Sequence, residues 1–85
     1  MRNVAFTPIA FKEYNYWFEV NKQIIERIKI LIRDIDNSPF KGLGKPEPLK
    51  GNWSGYWSRR IDQEHRLIYK VNDTGILIAK CKGHY

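Results

Sequence analysis

Hydrophobic and polar positions along this 85-residue chain follow two different periods, and the change from one to the other predicts the order of its elements. Residues Arg2 to Phe6 form a short run with β-branched and aromatic members, read as a strand. Thr7 followed by Pro8 has the chemistry of an N-cap with proline in the first helical turn. Phe11, Tyr14 and Trp17 or Phe18 then recur at helical spacing up to about Val20, which predicts a core-facing aromatic stripe. Asn21 can cap a second helix, in which Ile24, Ile28, Leu31 and Ile35 advance by four, three and four residues while Lys22, Glu26, Lys29 and Arg33 take the other side.

That helix should stop around Asp36 to Pro39, where Asn, Ser and Pro cannot sustain it. From Phe40 to Trp53 the periodicity gives way to Gly42, Gly44, Pro46, Pro48 and Gly51, a loop expected to lie over the domain. Three strands follow, Tyr56 to Ile61, His65 to Val71 and Ile76 to Lys82, separated by Asp62 to Glu64 and by the turn Asn72-Asp73-Thr74-Gly75. Connections this short predict an antiparallel meander. The expected fold class is α+β in the order β-α-α-β-β-β, with both helices covering one face of the sheet to bury their apolar stripes. A chain of this length buries only about 60% of its unfolded surface, so residues 1–85 should form one domain around one core.

Charge narrows the class of partner. Fifteen Lys and Arg against nine Asp and Glu leave a net charge of +6, which favours a polyanion such as nucleic acid through long-range attraction and counterion release. One cysteine, Cys81, excludes an internal disulfide, and with two histidines it falls short of a structural zinc ligand set, so neither metal nor cofactor is expected. Cys81 lies in an apolar run, where a thiol packs as a small hydrophobe. No apolar stretch is long enough for a signal peptide or a membrane span, which points to the cytoplasm and to no membrane partner.

Four places could carry chemistry. Glu47 stands in Lys45-Pro46-Glu47-Pro48-Leu49-Lys50, where two prolines stiffen the backbone and two lysines favour an ionised, proton-accepting carboxylate. Strand alternation sends Arg59 and Arg60 to opposite faces; with Ile61 inward beside Arg59, Arg60 is the candidate for the exposed face. His65 and Arg66 also point opposite ways, and parity alone allows Arg66 either face. His84 and Tyr85 close the sequence, and an imidazole there could move a proton near neutral pH if a strand held it in place. A carboxylate base, a cationic clamp and an imidazole acid are the groups RNA transesterification requires. A module that stacks bases on exposed rings without cutting them is the other reading of such a surface.

The motifs that include these residues, Pro39-Phe40, Gly44-Lys45-Pro46-Glu47-Pro48-Leu49-Lys50, Ser54-Gly55, Trp57-Ser58-Arg59-Arg60-Ile61, Glu64-His65-Arg66-Leu67 and His84-Tyr85, resemble YoeB-type toxins of the RelE superfamily over nearly the whole chain. The resemblance implies a RelE-like, microbial-ribonuclease-like fold, two helices on a curved antiparallel sheet. It implies a ribosome-dependent endoribonuclease that cuts mRNA in the A site of the 70S ribosome. By position, Glu47 matches the family's general base, His84 its general acid, Arg66 its phosphate ligand, Tyr85 a residue that orients substrate, and Lys50 and Arg60 basic residues of the active surface. The implied partners are a YefM-like antitoxin, a second copy of the chain in a homodimer, and operator DNA reached only through the antitoxin complex.

Overall fold

In the computed structural model, which describes residues 2–84, the elements run β1 (Asn3–Phe6), α1 (Pro8–Val20), α2 (Lys22–Asn37), β2 (Glu47–Pro48), β3 (Trp57–Arg60), β4 (Arg66–Val71) and β5 (Gly75–Lys80). Caps set the helix boundaries. Thr7 Oγ1 accepts the Ala10 N–H at 3.1 Å and Pro8 opens α1, where its missing donor costs nothing. Asn21 does two jobs in one extended residue: its N–H donates to Trp17 O at 2.8 Å to finish α1, and its side chain accepts the Gln23 N–H at 3.1 Å to start α2. At the far end Ser38 donates to Asp34 O, and Pro39 disfavours a further helical residue.

The stripe expected on α2 is buried, with Ile25 added to Ile24, Ile28, Leu31 and Ile35. The stripe expected on α1 is only partly so. Trp17 is buried, whereas Phe11 and Phe18 stand 57% and 52% exposed, and Tyr14 packs from the margin against Phe6 with ring centroids 5.1 Å apart. The buried face of α1 passes instead through Ala10, Glu13 and Trp17, one residue out of register with the two phenylalanines. Trp17 selects that face because its indole N–H, once buried, needs an acceptor and finds Cys81 O at 2.8 Å.

The five strands lie in the order β1-β5-β4-β3-β2. The expected meander is present: β3 pairs antiparallel with β4 and β4 with β5. The sheet as a whole is mixed, a correction to the antiparallel expectation, because β1 lies parallel to β5 with Val4 beside Ile76 and Phe6 beside Ile78. Parallel neighbours need a long crossover, and here both helices and strands β2, β3 and β4 intervene between them. A second correction falls in the expected loop, where Glu47 and Pro48 pair with Ser58 and Trp57 as an edge strand. Proline lacks an N–H to donate and is tolerated at just such an edge.

Alternation then gives the sheet two unlike faces. Trp57, Leu67, Tyr69, Ile76 and Ile78 join the helices in the main core. On the opposite face Ile68 and Ala79 are covered by Leu49, Trp53 and Tyr56, side chains of the segment that passes over the sheet. That outer face carries the polar residues that follow. No helix among the described residues is long and apolar enough to cross a membrane.

Candidate active site

Register delivers the charged residues of the outer face to one place. Glu47 sits directly across from Ser58, and Arg60 directly across from Arg66, so all four side chains leave the sheet on the same side. The Arg60–Arg66 pairing settles the face of Arg66 that sequence parity left open. Together with Lys45, Pro46 and His84 these four line a cleft of about 340 Å³. Three basic side chains, Lys45, Arg60 and Arg66, thus surround a single carboxylate, which is the charge balance of a site for an anion.

Each member is held by a distinct local device. Arg66 Nη1 donates to the carbonyls of Asp62, Gln63 and His65 at 2.8, 3.2 and 3.2 Å, so the turn between β3 and β4 anchors its guanidinium. Asp62 Oδ1 closes that turn by accepting the N–H groups of Glu64 and His65 at 2.9 and 2.7 Å. Lys45 adopts φ +52°, a left-handed conformation uncommon outside glycine, two residues before β2. The preceding Gly44 accepts the Arg60 N–H at 2.6 Å and itself has φ +78°. A Cβ there would stand 2.9 Å from Arg60 O, and the backbone cannot yield that space. Gly44→Ala should therefore destabilise the fold by about 1–3 kcal/mol, read as a lower urea midpoint with an unchanged slope.

His84 follows β5 on a segment held at Lys80, Cys81 and Gly83. Glu13 Oε1 accepts the Cys81 N–H at 2.8 Å, and Glu13 Oε2 pairs with Lys80 Nζ at 3.0 Å. Trp17 Nε1 holds Cys81 O, as above. His65 Nδ1 accepts the Gly83 N–H at 2.8 Å, and Arg66 N donates to Gly83 O at 3.0 Å. The imidazole of His84 thus extends from backbone tied to both α1 and β4. Cys81 itself packs in the main core. Its thiol is fully buried against Ala10 O, and desolvation, with Glu13 adding to it, pushes its pKa up to about 12. Iodoacetamide at neutral pH should leave it unmodified in the folded protein and label it once denaturant is added; rapid labelling of the native protein would contradict this burial.

Of the residues expected to act, Glu47, Arg60, Arg66 and His84 share the cleft. Lys50 does not line it and stands exposed at the start of a single 3-10 turn, Gly51–Trp53. Tyr85 lies outside the described residues. Sequence reasoning did not single out Ser58, a buried hydroxyl on the cleft floor, nor the part played by Arg59. Arg59 is 0% exposed, and its guanidinium donates to Asp34 Oδ2, Leu43 O, Ser38 O and Lys41 O while Nε donates to Tyr69 Oη at 3.1 Å. Tyr69 Oη in turn donates to Pro39 O at 2.8 Å. One side chain therefore fixes the segment from Ser38 to Leu43, which leads straight into Gly44 and Lys45. Its signal was its parity: an arginine placed on the inward face beside Ile61 needs internal acceptors.

A model of the YoeB-like toxins of bacterial type II toxin-antitoxin systems matches residues 6–85. The chain belongs to this family. Toxin YoeB of Synechocystis is 52% identical over 83 residues, covering 96% of this chain and 95% of its own. The YoeB dimer from Staphylococcus aureus superposes with a TM-score of 0.94 at 47% identity, over 99% of this chain and 98% of that one. The toxin in the heterotetrameric YoeB-YefM complex of the same organism gives 0.92 at 46% identity, over 100% and 99%. The helix pair on an open, mixed five-stranded sheet is thus the RelE-like architecture of these toxins.

Proposed function

We propose that this toxin is a ribosome-dependent endoribonuclease that cleaves mRNA in the ribosomal A site by acid-base transesterification. The observation that carries the reading is the shared cleft, in which one carboxylate, two guanidinium groups and one imidazole face the same small volume. Glu47 takes the proton of a ribose 2′-hydroxyl, whose oxygen attacks the adjacent phosphorus. Arg66, with Arg60 and Lys45, balances the charge that builds on the phosphorane oxygens. His84 gives a proton to the departing 5′-oxygen, so the products are a 2′,3′-cyclic phosphate and a free 5′-hydroxyl. Tyr85 orients the substrate and Lys50 meets the backbone outside the cleft. Every one of these steps uses side chains alone.

A site for an anion on a protein of charge +6 also suits an acidic inhibitor. The YoeB-YefM complexes support a YefM-like antitoxin as that partner, and the YoeB dimer supports self-association of this chain. Binding of operator DNA then belongs to the antitoxin complex. The test is to map mRNA 5′ ends on 70S ribosomes programmed with a defined message. New ends at the A-site codon, suppressed by the cognate antitoxin, are expected; binding to ribosomes with no new ends would replace the enzyme with a binding module.

A further inference from the structure

His65 does not line the cleft, yet it holds the residue next to His84. Both backbone groups of Gly83 are bonded to consecutive residues where β4 begins: its N–H to His65 Nδ1 at 2.8 Å, and its carbonyl to Arg66 N at 3.0 Å. A backbone N–H can only donate, so Nδ1 is the unprotonated ring nitrogen and Nε2 carries the proton, with Glu64 Oε1 3.7 Å away. The ring is well fixed for this task. Its side chain is only 13% exposed, it meets the Trp17 indole edge-on at 4.7 Å, and the backbone N–H of His65 donates to Asp62 Oδ1. Trp17 also grips Cys81 O, so His65 and Trp17 are two touching rings that bind the segment leading to His84 at two points, two residues apart.

We infer that His65 is a positioning residue: by accepting the Gly83 N–H it sets where the His84 imidazole enters the cleft. The inference rests on the reading of His84 as the general acid. The groups that would bind the phosphate stand on the sheet or just before β2, and the Arg66 side chain is held by the carbonyls of Asp62, Gln63 and His65 and not by the His65 ring. Loss of the bond should therefore act on the rate of the chemical step more than on substrate binding, since a misplacement of about 1 Å can cost on the order of 100-fold.

Two substitutions separate the acceptor from the ring. His65→Phe keeps a ring against Trp17 and removes the acceptor; His65→Asn removes the ring and keeps an oxygen at the same distance along the side chain as Nδ1. A third variant, an ester in place of the Lys82–Gly83 amide introduced by ligation of a synthetic terminal segment, deletes the donor and leaves His65 intact. Amide exchange at Gly83 and single-turnover cleavage on programmed ribosomes are then measured together. We expect faster Gly83 exchange in His65→Phe, and a roughly 10- to 100-fold lower kcat with KM nearly unchanged in both His65→Phe and the ester. His65→Asn should recover most of that loss. Full kcat in the ester variant, or a loss in His65→Asn as large as in His65→Phe, overturns the proposal, because acceptance of the Gly83 N–H would then not be what sets the rate. Faster Gly83 exchange with unaltered kcat overturns it too. A wild-type protein that cuts no message refutes the nuclease reading instead, and the exchange measurement still reports on the Gly83 bond by itself.

Discussion

Glu47→Gln and His84→Ala should each lower single-turnover cleavage of ribosome-bound message by about 100- to 10,000-fold, the range that a positioned general base or acid supplies. Neither change should move the thermal midpoint much, because both side chains are exposed and stand outside the two buried clusters. The double variant should fall well short of the product of the two losses. A base and an acid that serve one transition state are not additive, because once either fails the other has less to contribute. Arg66→Ala should cost a further kind of loss, in which kcat falls with weaker phosphate contact, on the order of 100- to 1,000-fold. A Glu47→Gln protein that cuts at the wild-type rate would remove the carboxylate from the mechanism.

The second large effect concerns stability. Arg59→Leu strips the donors from Asp34, Tyr69 and three loop carbonyls at once and leaves those acceptors in a partly buried site. Breaking a buried ion pair from one side costs about 3–5 kcal/mol, an upper figure here because the Asp34 side chain keeps 27% of its exposure, and the loop carbonyls lose their donor as well. In a domain of this size that should lower the thermal midpoint by more than about 10 °C. The pair also gives the fold an acid limit. The Leu43 N–H, and next to it the Arg59 guanidinium, hold the Asp34 carboxyl below the usual carboxylate range. A carboxyl whose folded pKa is depressed adds stability above its unfolded value, near pH 4, and that contribution disappears as the pH falls through the folded one. Asp34→Asn should therefore flatten the acid limb of the stability curve, measured by urea midpoints between pH 6 and pH 2. An unchanged acid limb would show that Asp34 titrates alike in both states.

How much of this could be read from the residues depended on whether the governing interaction was local. Thr7 with Pro8, and Asn21, name their helix starts because a cap is satisfied within three residues. The α2 stripe was legible because one apolar side meets the sheet along its length. Strand parity separated inward Arg59 from outward Arg60 correctly. The rest turned on partners far away in sequence. The face of α1 was decided by Cys81 O, 64 residues from the Trp17 indole. The face of Arg66 required its pairing with Arg60, and the parallel seat of β1 required β5. The two-residue β2 carries no period at all, and Pro48, with Pro46 just before the strand, argues for a loop until the edge position is known. Of the chemical groups, the motifs supplied Glu47, Arg60, Arg66 and His84, while Arg59 and His65 became intelligible only through their acceptors and donors.

The division of labour between carboxylate and imidazole can be tested by changing one atom of the substrate. A message whose scissile 5′-oxygen is replaced by sulfur has a leaving group that departs as a thiolate and needs no proton. On ribosomes carrying that message, His84→Ala should cleave at close to the wild-type rate, whereas Glu47→Gln should stay slow, since the 2′-hydroxyl must still lose its proton. If sulfur restores Glu47→Gln instead, or leaves His84→Ala as slow as on the natural message, then the imidazole in this cleft is not the group that protonates the leaving oxygen.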